Sequence, residues 1–239
     1  MTTIQTIATY EVVQLTYPRP VTERDELGIA VGRAIDGALS RFSHEAGQHR
    51  RPTVTAAERF ATELLDQELE DAQLTLAAAD RARILAELFG VLQAFRRSAL
   101  FGLSRPRSRM ILIGDRVGVY AQPDYWDGRS RFYEMKSYRA VPPPPDVALQ
   151  LRSFQLAFPG LEGVLACFDR HAHPVETTLL PLAPLTEAEA HETLRIAFAA
   201  GIEHGKPKVI EYIDSPIVRY ALPPTPEGGA ERAPRPPSP

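Results

Sequence analysis

In the stretch QPDYWDGRSRFYEMKSYRA, residues 122–140, Asp124 follows a proline, and ten residues later Glu134 and Lys136 flank Met135. Side chains alternate across a strand, so Glu134 and Lys136 point one way and Met135 the other. Met135 can then enter a core while the acid and the base face a cleft. The intervening DGRS is turn-like. Strands pairing through it would bring Asp124 close to opposite Glu134. Two carboxylates and an ammonium would then share one small site.

Two adjacent carboxylates resist ionising together. A hard divalent cation removes that penalty. Mg2+ takes one or two protein carboxylates and fills its other positions with water and phosphate oxygens. The expected ligands are Asp124, Glu134 and the Met135 backbone carbonyl, with Mg2+ or Mn2+ as cofactor. Lys136 would orient or help deprotonate an attacking water, or neutralise charge developing on a phosphate. Acid, apolar residue and base on one strand therefore suit metal-assisted hydrolysis of a phosphodiester. The plain alternative is a surface ion pair on an amphipathic strand, because Glu-x-Lys alone is common.

Other residues near this stretch have chemistry to offer. Tyr125 and Trp126 would stack on a base or pack in the sheet. Arg105, Arg107, Arg109 and Arg139, with Arg96 and Arg97, would contact phosphates or form a solvated basic loop. His171 and His173 have a spacing that suits a transition metal, but no third ligand is evident.

The elements that must position these groups follow from periodicity and turn chemistry. Residues 4–16 alternate with β-branched residues and Tyr, which predicts a strand or a strand pair. Leu27, Val31, Ile35, Leu39 and Phe42 recur at helical spacing between Glu23 and Phe42. HEAGQHRRPT breaks that pattern. Thr55, with Glu58 three residues on, reads as a helix cap, and the helix should run to about Leu74. Another should run from Ala78 to Arg97. RMILIGD, VGVYAQPDYWD and RFYEMKSY predict a three-stranded meander. Asp146 should cap the helix ALQLRSFQLAF, which PG stops. GVLACFDR and ETTLLPL read as strands, and Thr186 should start a helix through about Glu203.

That order predicts an α/β fold with a mixed central sheet flanked by helices. There is no GxGxxG after a strand and no GxxxxGK[ST], so the doubly wound nucleotide folds do not apply. The expected organisation is one domain over 1–221. Its helical part covers about 23–100 and its catalytic core about 108–204, followed by a disordered Pro-rich tail over 222–239.

Composition narrows the function class. The chain has 239 residues, 44% of them hydrophobic, enough for a sizeable core. Its N-terminus does not read as a signal peptide and no apolar run is long enough to span a bilayer. The single Cys167 excludes an internal disulfide and any multi-cysteine metal or Fe–S site. A soluble cytoplasmic protein is expected. Only three of its 27 basic residues are lysines, and one of them is Lys136. The net charge is −3, yet residues 96–139 hold nine Arg and one Lys against Asp115, Asp124, Asp127 and Glu134, a net of +6. A mildly acidic chain with a locally basic segment can still meet phosphates.

PDY, then EMK, then the helix from Asp146 with Gln150, Leu151 and Phe154, resembles the PD-(D/E)XK nuclease superfamily, specifically its RecB-type branch. The resemblance covers residues 108–170. It implies a restriction-endonuclease-like core with a helical N-terminal portion, metal binding by Asp124 and Glu134, a catalytic Lys136, and a Gln150 that orients the substrate or the site. Phe154 stands where the branch usually has Tyr. Residues 27–42 also resemble an upstream helix of the branch, but Gly32 occupies its usual metal-binding His position. Asp36, His44 and His49 are read as surface rather than as replacements. The cysteines of the Fe–S members are absent, so no cluster is expected.

The function expected is a Mg2+- or Mn2+-dependent deoxyribonuclease, a RecB-type exonuclease or structure-directed nuclease. DNA, as single strands or ends, would be the partner, with protein partners or homo-oligomers also open and no membrane. One rival is a catalytically weak or inactive nucleic-acid-binding module on the same fold, which Gly32 favours. The other is an assembly module whose contact surfaces are the acidic helix around Glu63–Asp71 and the tail.

Overall fold

The computed structural model describes residues 3–18, 22–48, 53–209 and 215–222. The fold is α/β, with helices flanking two mixed sheets. The chain opens with β1 (Thr3–Ala8) and α1 (Thr9–Thr16). Three longer helices follow: α2 (Glu23–Gly47), α3 (Val54–Asp71) and α4 (Ala78–Arg97). Then come β2 (Arg109–Ile113), β3 (Val117–Ala121), β4 (Tyr125–Trp126), β5 (Arg131–Lys136) and α5 (Pro145–Ala157). β6 (Glu162–Asp169), β7 (Glu176–Pro181), α6 (Glu187–His204), β8 (Lys206–Val209) and β9 (Ile217–Tyr220) complete the order. No helix among the described residues is long and apolar enough to cross a membrane.

The two sheets run β8-β1-β3-β2-β9 and β4-β5-β6-β7. Both mix parallel and antiparallel neighbours, with β1 parallel to β3 and β5 parallel to β6. The expected three-stranded meander is therefore corrected. β2 and β3 pair in one sheet, whereas β4 and β5 pair in the other. The chain changes sheet at Gln122-Pro123-Asp124, where a proline has no N–H to continue a ladder.

Four further expectations are corrected. Asp146 lies in the first turn of α5 rather than at its cap, which is Pro144. Residues 4–16 form one strand and then a helix, because Glu11 turns back to accept the Ala8 N–H at 2.8 Å and Val12 is buried against the sheet. Helix α2 continues through His44 to Gly47, its last turns held by Ser43 Oγ donating to the Leu103 carbonyl at 2.6 Å and by Phe42 against the Phe101 ring. The cap of α3 is Thr53, whose hydroxyl accepts from the Ala56 N–H, and not Thr55. That helix ends at Asp71, and Gln73 beyond it takes a left-handed φ of 55°. Helix α4 spans the residues expected, and α6 starts at Thr186 as expected, with Glu189 completing a capping box. The tail lies outside the described residues except for Leu222.

Two apolar layers fix the central strands. On one side, α2, α3 and α4 bury Val31, Ile35, Leu39, Phe42, Leu65, Leu88 and Phe95 against Tyr133 and Met135 of β5 and Phe168 of β6. Gly37 lets α2 approach α3 closely, since a Cβ there would sit 2.9 Å from Leu64. On the other side, Phe132 packs with Leu149, Phe154 and Phe158 and with core residues of β1, β2 and β3. β5 thus sends Tyr133 and Met135 to the helical layer, and Phe132, Glu134 and Lys136 to the α5 side, as its alternation requires.

Candidate active site

The hairpin β4–β5 sets the register of the site. Tyr125 lies opposite Tyr133 and Trp126 opposite Phe132, which places Asp124, just before β4, across from Glu134. The turn is fixed by Asp127, whose Oδ1 accepts the N–H groups of Arg129, Ser130 and Arg131 at 2.8, 2.8 and 3.0 Å. Slight burial works against the Asp127 carboxylate, but these backbone donors outweigh it and hold its pKa down at about 2.

Asp124 accepts the Met135 backbone N–H at 2.8 Å through Oδ2. Within a strand, the N–H and C=O of one residue point to the same side, so the Met135 carbonyl also turns towards the chain before β4. Continuing the register puts Pro123 opposite Met135. Proline has no N–H to give that carbonyl. Both groups of Met135 are therefore diverted from ladder bonding towards the acidic site, while its side chain is 5% exposed in the core.

Glu134 is buried and accepts Lys136 Nζ at 2.8 Å. The same ammonium donates to Gln150 Oε1 of α5 at 2.9 Å. Burial first, and then the Asp124 carboxylate, push the Glu134 pKa upward, with Lys136 opposing. Burial disfavours the Lys136 ammonium, but Glu134 and Asp124 outweigh it and keep the lysine charged. The Asp124 carboxylate and the Glu134 carboxyl thus sit close enough for the first to disfavour ionisation of the second.

Asp36 also belongs to this neighbourhood, which corrects its reading as remote surface. Its carboxyl pKa is raised by the protein around it and by Asp124, and lowered by Lys136 and Arg105. Asp36 remains open to solvent, so water blunts the effect of that crowding. The sequence held a signal for it. Gly32, Asp36 and Ser40 lie on one line of α2 at four-residue spacing, and Ser40 lines the same cleft as Tyr125 and Asp124. A Cβ at Gly32 would meet nothing within 4 Å.

The remaining candidates separate. Arg105 reaches Asp124 at 3.3 Å while half exposed, and Arg107 and Arg139 are exposed. Arg109 is corrected from a phosphate contact to a packing residue, because its guanidinium lies over the Phe158 ring and donates to the Ala157 carbonyl. Tyr125 is corrected from a base-stacking ring. It is 4% exposed against Phe95, and burial, Asp124 and Asp36 all push its phenol pKa up. Trp126 lines a cleft of about 680 Å³ together with Arg105, Asp124, Ser40 and His44. His44 thus faces the same cleft, and its Nε2 lies 2.8 Å from Gln48 Nε2. His49 falls outside the described residues. His171 turns to the buried Glu87 at 3.6 Å, far along the chain from the acidic site.

Among the described residues, no three His, Cys, Asp or Glu side chains converge as a ready metal cage. The candidate donor set is Asp124, Glu134 and the Met135 carbonyl. Its chemistry suits a hard cation with most positions filled by water or substrate oxygens.

No family model matches the sequence, and no curated protein matches it. A solved structure described as "Crystal structure of SSO0001" is similar at 15% identity, over 86% of this chain and 79% of that one. Its TM-score is 0.37.

Proposed function

We propose that the chain is a metal-dependent nuclease of the PD-(D/E)XK type that hydrolyses phosphodiester bonds of DNA, with Mg2+ or Mn2+ as cofactor. The observation that carries this reading is the register placing Asp124 across from Glu134, with Lys136 bridging Glu134 and Gln150. Asp124, Glu134 and the Met135 carbonyl would hold the cation. When bound, it would supply Lewis acidity at the scissile phosphate and at water. Lys136 would place its ammonium against the charge developing on the phosphate. Gln150 holds that ammonium from the α5 side, so its part is positioning. Arg105 would release Asp124 to the cation and turn towards substrate.

The test is incubation of the chain with end-labelled single- and double-stranded DNA in Mg2+, Mn2+ or EDTA. Products that need metal and vanish in Asp124→Ala and Lys136→Ala, with both variants folded, are expected. Undiminished cleavage by both variants would sink the reading.

A second reading has one observation in its favour. Gly32 leaves open space where the resembling branch places a ligand. A binding module with a disabled site would bind DNA in a salt-sensitive way, ignore Mg2+ and release no products.

A further inference from the structure

A second cleft, of about 370 Å³, is lined in part by Gln150. Its lining differs in kind from the first. Thr9, Tyr10, Ser108, Tyr120, Gln122 and Gln150 supply hydroxyls, amides and rings, and Ala8, Ala121 and Phe154 complete it. Among the described residues no ionised side chain lines it, whereas the first cleft holds Arg105, Asp124 and Asp127. An anion would find no counter-charge here. A planar, uncharged group with hydrogen-bonding edges would find suitable partners, in a volume at the small end of ligand sites, about 300–1,000 Å³.

Two details define those partners. Gln122 Nε2 is committed to the Pro106 carbonyl at 2.8 Å, which leaves its amide oxygen as an acceptor. Gln150 Oε1 is committed to Lys136, which leaves its amide N–H groups as donors. Beside them Tyr10, at the start of α1, is 59% exposed. An aromatic ring so exposed at a cleft mouth is a stacking platform, since every nucleobase offers a π face. Gln150 ties the cleft to the site, because it both lines the cleft and holds the ammonium of Lys136.

We propose that this cleft is a nucleobase subsite. It takes one base of a single strand, adjacent to the scissile phosphate, stacked on Tyr10 and met at its edge by Gln122 and Gln150. The inference rests on the nuclease reading and adds to it where the strand lies and why an unpaired base is required. A base within a duplex has its faces stacked and its pairing edge occupied, so it cannot enter.

The experiment measures the affinity of the chain for a fluorescent single-stranded oligonucleotide in EDTA. Wild type, Tyr10→Phe and Tyr10→Ala are compared on intact DNA and on strands with one abasic position moved along the sequence. Tyr10→Ala is expected to weaken binding about tenfold and Tyr10→Phe hardly at all. At one abasic position wild type should lose the same factor, and Tyr10→Ala should lose nothing further, because ring and base form one contact. Unchanged affinity in Tyr10→Ala overturns the subsite, as do losses that add at every position. Cleavage of the intact oligonucleotide by wild type in Mn2+ is scored in parallel. If wild type cuts while Tyr10→Ala binds normally, only the subsite falls. If wild type neither binds nor cuts, the nuclease reading falls and takes the subsite with it.

Discussion

At the scale of single residues, the site is a small charge network whose members do different work. Lys136 is bonded on two sides, so removing its ammonium and removing one of its supports should differ in size. Lys136→Ala should lower kcat by about 10²-fold or more, the cost of losing a donor aimed at developing charge. Gln150→Ala leaves the bond to Glu134 in place and should cost only about tenfold, mostly in kcat. Single-turnover cleavage separates the two; equal losses would mean that Gln150 does more than position. Glu134 gives a pH signature. Its folded pKa is raised from the ordinary 4.5, so it holds a proton that the unfolded chain has already released. The stability it contributes is complete below pH 4.5 and is lost as pH rises through the folded pKa. Metal-free wild type should therefore lose Tm across that window, and Glu134→Gln should not. Mg2+ competes with that proton, so it should raise the wild-type Tm more at about pH 8 than at about pH 5.5. Thermal melts across pH, with and without Mg2+, decide this; parallel profiles for wild type and Glu134→Gln would show that Glu134 ionises normally. Asp124, Glu134 and Lys136 were legible because strand alternation and one turn fix them locally. Asp36 was legible only as a member of the Gly32–Asp36–Ser40 line of α2, because its approach to Asp124 is a contact between residues far apart in the chain.

At the scale of elements, the site depends on where pairing stops. β4 is only two residues long, and Pro123 ends its ladder where Met135 would otherwise be engaged. Pro123→Ala supplies the missing N–H. The ladder should then extend by one pair and tie up the Met135 carbonyl. The concentration of Mg2+ needed for half-maximal cleavage should rise several-fold while Tm changes little. A metal titration reads this directly, and an unchanged midpoint would mean that the carbonyl takes no part. The helices were largely legible, α4 to its end residues, because caps and 3.6-residue spacing are local signals. The split into two sheets was not. RMILIGD, VGVYAQPDYWD and RFYEMKSY read as neighbours in sequence, yet β3 pairs with β1 from the other end of the chain and β5 with β6 beyond a helix. β8 was missed for a local reason: its KPKV carries a proline and two lysines in place of apolar alternation.

At the scale of the whole molecule, the question is how a chain of net charge −3 would attract a polyanion. The basic run over residues 96–139 passes from the end of α4, along the cleft beside Asp124, to the residues after β5. Within that run Arg105 and Lys136 stand against the acidic residues, whereas Arg131 pairs with Glu162. For a single strand, log affinity should fall against log salt with a slope of about 0.7 per neutralised phosphate. Arg107 and Arg139 are exposed, so alanine at either should lower the steepness by about 0.7 and weaken all sequences alike. Arg109 sits in the same run but is spent on Phe158 and Ala157. Arg109→Ala should leave the slope alone and lower Tm instead, through lost packing of its guanidinium and stem. Salt titrations of the three variants in EDTA, with melts alongside, separate charge that meets DNA from charge that holds the fold. A wild-type slope near zero would show that this basic run meets no phosphate backbone, and would leave the locally positive surface without a role in substrate capture.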